Sequence, residues 1–220
     1  METAATTLAA VRARLPATSS NFWSDDDLIE AYNDALDELS EATEFYELNA
    51  TVPRRKWHSL TDLSGILPEE VIRITAVWNM GSQRWMDPTT PRELDRMLGR
   101  GWEQNVDVSR FWFMRGLKWL GTYPRPGDDV SPVRVYFSAK HPHVSADGGL
   151  GYGLTAPSML PPDFDSAIEE YSLYALISQH RESKKAMEHY QAYLEMERDL
   201  KQHVEGRITR DRIPHMGLRR

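Results

Sequence analysis

A short segment in the second half of the chain, KHPHVSAD, holds residues from which a metal site could be built. His141 and His143 are two positions apart, so a strand would direct both side chains to one side, and Asp147 follows them. A His-His-Asp set binds metal ions that activate water for hydrolysis. Pro142 between the histidines favours a surface turn instead. A metal-dependent hydrolase that uses His141, His143 and Asp147 is therefore one hypothesis.

The run Asp25–Asp27 is a second cluster of potential metal ligands. Consecutive residues of a helix point ~100° apart, so these three carboxylates do not converge on one ion. Ser24 and Asp27 have the spacing of a capping box, and negative charge in a first helical turn is stabilised by ~0.3–1 kcal/mol per residue. The three aspartates therefore predict the start of a helix.

Other catalytic motifs are missing from the sequence. The glycine-rich stretch GGLGYG, residues 148–153, matches neither the dinucleotide-binding nor the P-loop pattern, and we interpret it as a loop. There is no G-x-S-x-G or H-E-x-x-H motif, and the absence of cysteine excludes disulfides and thiolate chemistry. We therefore predict no cofactor and no metal, and no motif in the sequence points to an enzyme, although one built from dispersed residues stays an open alternative.

Three long helices are predicted, at about residues 24–47, 163–180 and 183–205. The first has ten acidic side chains and no Lys or Arg between Phe22 and Glu47. Its apolar residues recur at three-and-four spacing, which predicts one buried stripe. The last two form a predicted antiparallel hairpin, with Met187, Tyr190, Leu194 and Leu200 facing inward. The exposed acidic face of the first helix is predicted to comprise Asp34, Asp37, Glu38, Glu41 and Glu44.

The segment from about residue 52 to residue 144 has β character and contains six of the seven tryptophans. So many tryptophans exceed what one small sheet can bury, which favours a subunit interface. The interface candidates are Trp78, Trp85, Trp102, Trp112 and Trp119. The alternative is stacking on single-stranded nucleic acid beside Arg54, Arg55, Arg84, Arg110 and Arg115, but the net charge of −7 weighs against it.

Two local features are predicted within the β segment. Val133, Val135, Phe137 and Ala139 alternate along SPVRVYFSAK, which predicts a half-buried strand. The stretch RFWFMRGLKWL predicts a hairpin with Arg115–Gly116 near its turn.

These elements predict an α+β, mainly helical protein. Its body is a helical bundle of the N-terminal acidic helix and the C-terminal hairpin, with an inserted Trp-rich antiparallel β segment. We predict a single domain over residues 1–205 and an extended basic arm over residues 206–220, which contains five arginines and one aspartate. No apolar run approaches the ~18–20 residues of a membrane span, so we expect a cytoplasmic working compartment.

The order of the segments carries a resemblance to a known family. FWSDDDLIEAYNDALDELS comes first, LPEEVIRI leads into a strand, SPVRVYFSAKHPHV ends the Trp-rich part, and LPPDFDSAIEEYSLYALISQH begins the C-terminal helices. Over roughly residues 6–205 this order resembles the head-to-tail adaptor (connector) proteins of tailed bacteriophages. The family relation rests on the order of parts, since no invariant signature is involved.

The resemblance implies a structural protein of the virion neck, not an enzyme, that is assembled in the host cytoplasm. It implies a closed ring, usually of twelve copies, with the portal protein on one face and a stopper or tail-tube protein on the other. Double-stranded DNA would pass through without specific binding, and no membrane is involved. Two hypotheses follow. The first is that the acidic face Asp34–Glu44 lines the channel or the rim, since carboxylates repel phosphates. The second is that the portal binds the arginines of the basic arm, Arg207, Arg210, Arg212, Arg219 and Arg220. A non-phage helical module that recruits a basic partner is a further alternative.

Overall fold

The computed structural model describes residues 3–15, 22–68, 70–116, 118–127, 130–146, 152–155, 160–179 and 183–216. The chain divides into two compact units. The helical unit comprises Met1–Tyr46 and Lys140–Arg220, and the sheet unit comprises Glu47–Ala139. The assignment of residues 1–205 to a single domain remains a prediction.

The described residues form five α-helices and nine strands. The helices are α1 (Ala4–Arg14), α2 (Asp25–Thr43), α3 (Pro91–Leu98), α4 (Asp165–Ser178) and α5 (Ser183–Met216). The strands are β1 (Glu47–Val52), β2 (Leu60–Asp62), β3 (Val71–Asn79), β4 (Arg84–Pro88), β5 (Phe111–Arg115), β6 (Trp119–Tyr123), β7 (Val133–Ala139), β8 (Val144–Ser145) and β9 (Tyr152–Gly153). Only α3 and β1–β7 belong to the sheet unit.

The start of α2 confirms the predicted capping box. The Asp27 N–H donates to Ser24 Oγ at 3.1 Å, and the Ser24 N–H donates to the Asp27 carboxylate at 2.8 Å. The Ser24 hydroxyl also donates to the Asp27 carboxylate, at 2.6 Å, and the two hydrogen bonds that Ser24 donates, from its hydroxyl and from its N–H, lower the pKa of Asp27. The helix ends at Thr43 rather than at about residue 47, because Glu44 adopts a left-handed conformation with φ of 55°. Strand β1 begins at Glu47, so the predicted end of this helix at about residue 47 is wrong.

The core of the helical unit lies between α2, α4 and α5. Its fully buried side chains include Leu36, Leu39, Ile168, Leu173, Tyr193 and Leu200. Helix α5 turns Ala186, Tyr193 and Leu200 inward, whereas Met187 is 51% exposed and Leu194 is 38% exposed. Tyr190 is half-buried and packs against the core, and Leu200 is fully buried, so the predicted inward face is confirmed for these two residues and wrong for Met187 and Leu194. Two apolar stripes run along α5, and periodicity alone does not tell which of them packs against α4.

The sheet of the sheet unit has seven strands in the order β1-β7-β3-β4-β5-β6-β2. Every neighbouring pair is antiparallel except β4 and β5, which are parallel. Strand β7 buries Val133, Val135, Phe137 and Ala139, which confirms the predicted alternation. The predicted hairpin around Arg115–Gly116 is also confirmed, by strands β5 and β6.

The mainly helical bundle is a wrong prediction. The described residues are 45% helical and 25% strand, and they contain five α-helices and a curled seven-stranded sheet that forms a half-barrel. This sheet depends on long-range pairings: β1 pairs with β7, and β2 pairs with β6. Neither pairing can be predicted from neighbouring residues alone. The extended arm is wrong as well, since α5 continues through Met216. Arg219 and Arg220 lie outside the described residues.

A partly buried ionic cluster joins three helices of the helical unit. Glu170 of α4 is 8% exposed and accepts a hydrogen bond from Arg14 of α1 at 2.6 Å. His189 Nδ1 of α5 lies 2.7 Å from the same carboxylate, and Arg14 also reaches Glu169 at 3.3 Å. Burial by itself would raise the pKa of Glu170, but the hydrogen bonds from His189 and Arg14 outweigh it and lower that pKa. The charged form of Glu170 therefore stabilises the fold.

We predict that Glu170→Gln lowers the free energy of unfolding by about 1.5–3 kcal/mol at neutral pH, because it removes hydrogen bonds between charged groups. The folded-state pKa of Glu170 lies below its ordinary value of 4.5, so this contribution is complete above pH 4.5. It is lost as the pH falls through the folded-state pKa, and the difference between the two proteins should shrink. Urea unfolding at several pH values measures it, with the exposed Glu188→Gln as control. A difference that stays constant with pH would contradict the assignment.

Candidate functional site

His141 is part of the core of the helical unit. Its backbone N–H donates to Ser40 Oγ at 3.2 Å, and its ring centroid lies 6.2 Å from that of Phe45 and 5.2 Å from that of Tyr46. The side chain is buried, with Nδ1 2.8 Å from the Pro142 carbonyl oxygen. Burial lowers the pKa of His141, which favours the neutral ring at neutral pH. These contacts describe a packing residue.

His143 is a surface residue with a different partner. Its side chain is 60% exposed, and Nε2 lies 3.1 Å from Asp37 Oδ1. The two histidines of the H-x-H pair therefore have different surroundings, and Asp147 lies outside the described residues. Within the residues that the structure describes, no three His, Asp or Glu side chains form a group that could hold a metal ion.

The acidic face of α2 divides into two parts. Asp37 lies 3.3 Å from Lys140, which also pairs with Glu41, and the hydrogen bond to Glu41 raises the pKa of Lys140. Asp34 and Glu38 are exposed and lie near Tyr171; after burial, their charges are the next causes that raise the pKa of this tyrosine. Glu44 is half-buried at the C-terminal cap of α2. The face is therefore acidic but partly neutralised on the side of Lys140.

The five candidate tryptophans fall into three environments. Trp102 and Trp112 are buried in the sheet unit, and the Trp102 indole donates to Asp95 at 2.8 Å. Trp78 and Trp85 are half-buried, with ring centroids 5.1 Å apart. They lie on the side of the sheet opposite the buried valines of β7, because Trp78 is paired with Arg134. Trp119 is 44% exposed. The structure thus places two of the five inside the fold.

Trp57 was missed as a candidate and is the most unusual aromatic residue of the sheet unit. Its side chain is 49% exposed, and its backbone has φ of 63°, a left-handed conformation that is rare for a bulky residue. The Trp57 N–H donates to the Pro126 carbonyl at 3.0 Å, and the Arg125 guanidinium lies 5.8 Å from its ring centroid. The basic run PRRKWH around a tryptophan is the signal that could have identified it.

The basic residues considered for nucleic-acid stacking do not act as a group. Arg54 is buried and donates to the Ser131 carbonyl at 2.7 Å and to Ser109 Oγ at 2.8 Å, so it holds the sheet unit together. The other four arginines, Arg55, Arg84, Arg110 and Arg115, are exposed. Of the predicted portal-binding residues, Arg207 is exposed on α5, while Arg210 and Arg212 belong to the same helix.

A family model described as SU10 adaptor protein matches residues 2–215. None of the curated proteins matches the chain. In the part of the chain that the structure describes, no helix has the length and apolarity to cross a membrane.

We predict different consequences for the two histidines. His141→Ala should lower the free energy of unfolding by about 2–4 kcal/mol, since it leaves a cavity between two aromatic rings. His143→Ala should change it by less than about 1 kcal/mol, as expected for an exposed ion pair. Thermal unfolding with and without Zn²⁺ or Mn²⁺ measures both effects. A metal-induced rise in the Tm of the unmodified protein that both substitutions abolish would restore the metal-site hypothesis.

Proposed function

The chain belongs to the SU10 adaptor protein family, and on this basis we propose that it is a ring-forming component of the neck of a tailed bacteriophage. The family assignment makes it a structural adaptor protein of a phage, and this match over residues 2–215 is the observation that carries the proposal. In the proposed assembly, the ring lies beneath the portal protein and joins the head to a stopper or tail-tube protein. We expect twelve copies.

A closed ring with one kind of subunit needs two different complementary patches on each copy, because its contacts run head to tail around the axis. The exposed and half-exposed tryptophans Trp78, Trp85 and Trp119 are our candidates for such contacts. Trp102 and Trp112 are buried in the sheet unit, so we do not expect them to contact another copy. Exposed aromatic residues are enriched in protein interfaces, which favours this use over nucleic-acid stacking.

The acidic face of α2 is suited to a conduit through which DNA must pass freely. Asp34, Glu38 and Glu41 are exposed. Basic contacts would release counterions and bind the duplex, whereas carboxylates repel its phosphates. We therefore propose that this face, with Asp37 and Glu44 at its sides, lines the channel or the rim of the ring.

Depletion of the protein in the phage that encodes it tests this function. We expect DNA-filled heads and separate tails to accumulate, because neither part can join the other without the adaptor. Electron microscopy of the lysate measures the fraction of joined particles, and expression of the unmodified chain in trans is the control. Joined and infectious virions in its absence would contradict the proposed function.

We further propose that the basic C-terminal segment, residues 206–220, binds the portal. Replacing its arginines with glutamine should weaken binding to portal-containing heads by at least about tenfold, since such contacts depend on charge. Co-sedimentation with heads measures the affinity. The matched control replaces exposed cations earlier on α5, namely Lys184, Arg198 and Lys201. Equal binding by both variants would contradict a role of this segment in portal binding. The arginines to be replaced are Arg207, Arg210, Arg212, Arg219 and Arg220.

A further inference from the structure

Charge is distributed unevenly between the two units. The helical unit has 22 acidic and 13 basic residues, whereas the sheet unit has 11 acidic and 13 basic residues. Two helical units from neighbouring copies therefore repel each other, and a helical unit attracts the sheet unit of another copy. This asymmetry favours contacts between unlike units of different copies.

The sheet unit presents one exposed aromatic residue in a basic setting, the Trp57 loop (residues 53–58). Trp57 is flanked by the exposed residues Arg55, Lys56 and His58, and Arg125 lies against its ring. A bulky side chain held in a left-handed conformation is strained, and such strain is concentrated at functional sites. Tryptophan and arginine are also the residues that contribute most to protein interfaces.

The helical unit presents a partly exposed aromatic surface, the tyrosine patch (Tyr171, Tyr174, Met187, Tyr190 and Leu194). The three tyrosines are half-buried, with one side packed against the core of the unit, whereas Met187 and Leu194 are exposed. The ring centroids of Tyr174 and Tyr190 are 4.7 Å apart, and those of Tyr171 and Tyr174 are 5.7 Å apart. Met187 and Leu194 form the second apolar stripe of α5, which does not pack into the core of the helical unit. The exposed carboxylates Glu188 and Glu195 lie on the same helix.

We propose that the Trp57 loop of one copy docks on the tyrosine patch of a second copy. Tyrosine rings offer faces for an indole and for guanidinium groups, and the charges of the two units are complementary. Both surfaces belong to the same chain and differ from each other, so the contact is heterologous and can repeat around an axis. Duplex DNA is a less suitable occupant of the loop, because the chain has a net charge of −7. The inference deepens the proposed function by identifying the subunit contact of the ring.

Disulfide trapping tests this contact directly, because the chain has no cysteine of its own. Lys56→Cys is mixed with Gln191→Cys, an exposed position one residue after Tyr190, under mild oxidation. We expect the covalent heterodimer to exceed that of two control pairs by at least about tenfold. The controls are Lys56→Cys with Asp199→Cys, which is exposed elsewhere on α5, and Arg100→Cys with Gln191→Cys. Adding Trp57→Ala to the Lys56→Cys chain should return the yield to the control level.

A yield equal to that of the controls, or one that Trp57→Ala leaves unchanged, would overturn the proposal. Binding of a labelled DNA duplex is measured in parallel with the full-length protein. If Trp57→Ala abolishes duplex binding while trapping stays at the control level, the loop contacts nucleic acid and the proposal is wrong. Disulfide trapping measures only the contact between copies. If trapping stays at the control level while depletion of the protein still leaves heads and tails unjoined, the subunit contact is wrong and the proposed neck function is retained.

Discussion

Helix α2 must hold eight carboxylates and no basic side chain between Asp25 and Thr43. Like charges one turn apart destabilise a helix by a few tenths of a kcal/mol per pair, so the helix depends on its buried stripe. Leu28, Leu36 and Leu39 are each at most 2% exposed, and burial of each contributes about 1.5–3 kcal/mol. The Ser24 cap accommodates the first aspartates, and Lys140 approaches the later ones. The acidic surface of the helical unit therefore exists because the apolar stripe outweighs its repulsion.

This constraint has consequences for assembly. In the proposed ring, the acidic excess of one helical unit would repel a second helical unit, whereas the sheet unit has the opposite balance of charge. The same acidic excess suits a protein through whose ring DNA would slide without binding. The SU10 adaptor family and the proposed neck position agree with both properties.

Local signals in the sequence predicted the features that depend on neighbouring residues. The Ser24–Asp27 box, the alternation of β7 and the turn at Arg115–Gly116 each involve only a few consecutive positions. The sheet order could not be predicted in this way, because β1 finds its partner more than eighty residues later along the chain, as Glu47 pairs with Ser138. The predicted inward face of α5 was partly wrong for a related reason: two apolar stripes run along this helix, and tertiary packing determines which of them is buried. His141 and His143 illustrate the same limit: their spacing suggests one site, but His141 is buried and His143 is exposed.

Cryo-electron microscopy of the neck in intact virions tests the central claim most directly. The account predicts a closed ring between the portal and the tail, with density for a helical unit and a curled seven-stranded sheet in every copy. The sheet unit of each copy should contact the helical unit of its neighbour, and the carboxylates of α2 should face the channel or the rim. A neck without density for this chain, or a ring whose channel is lined by basic side chains that bind the DNA, would contradict it.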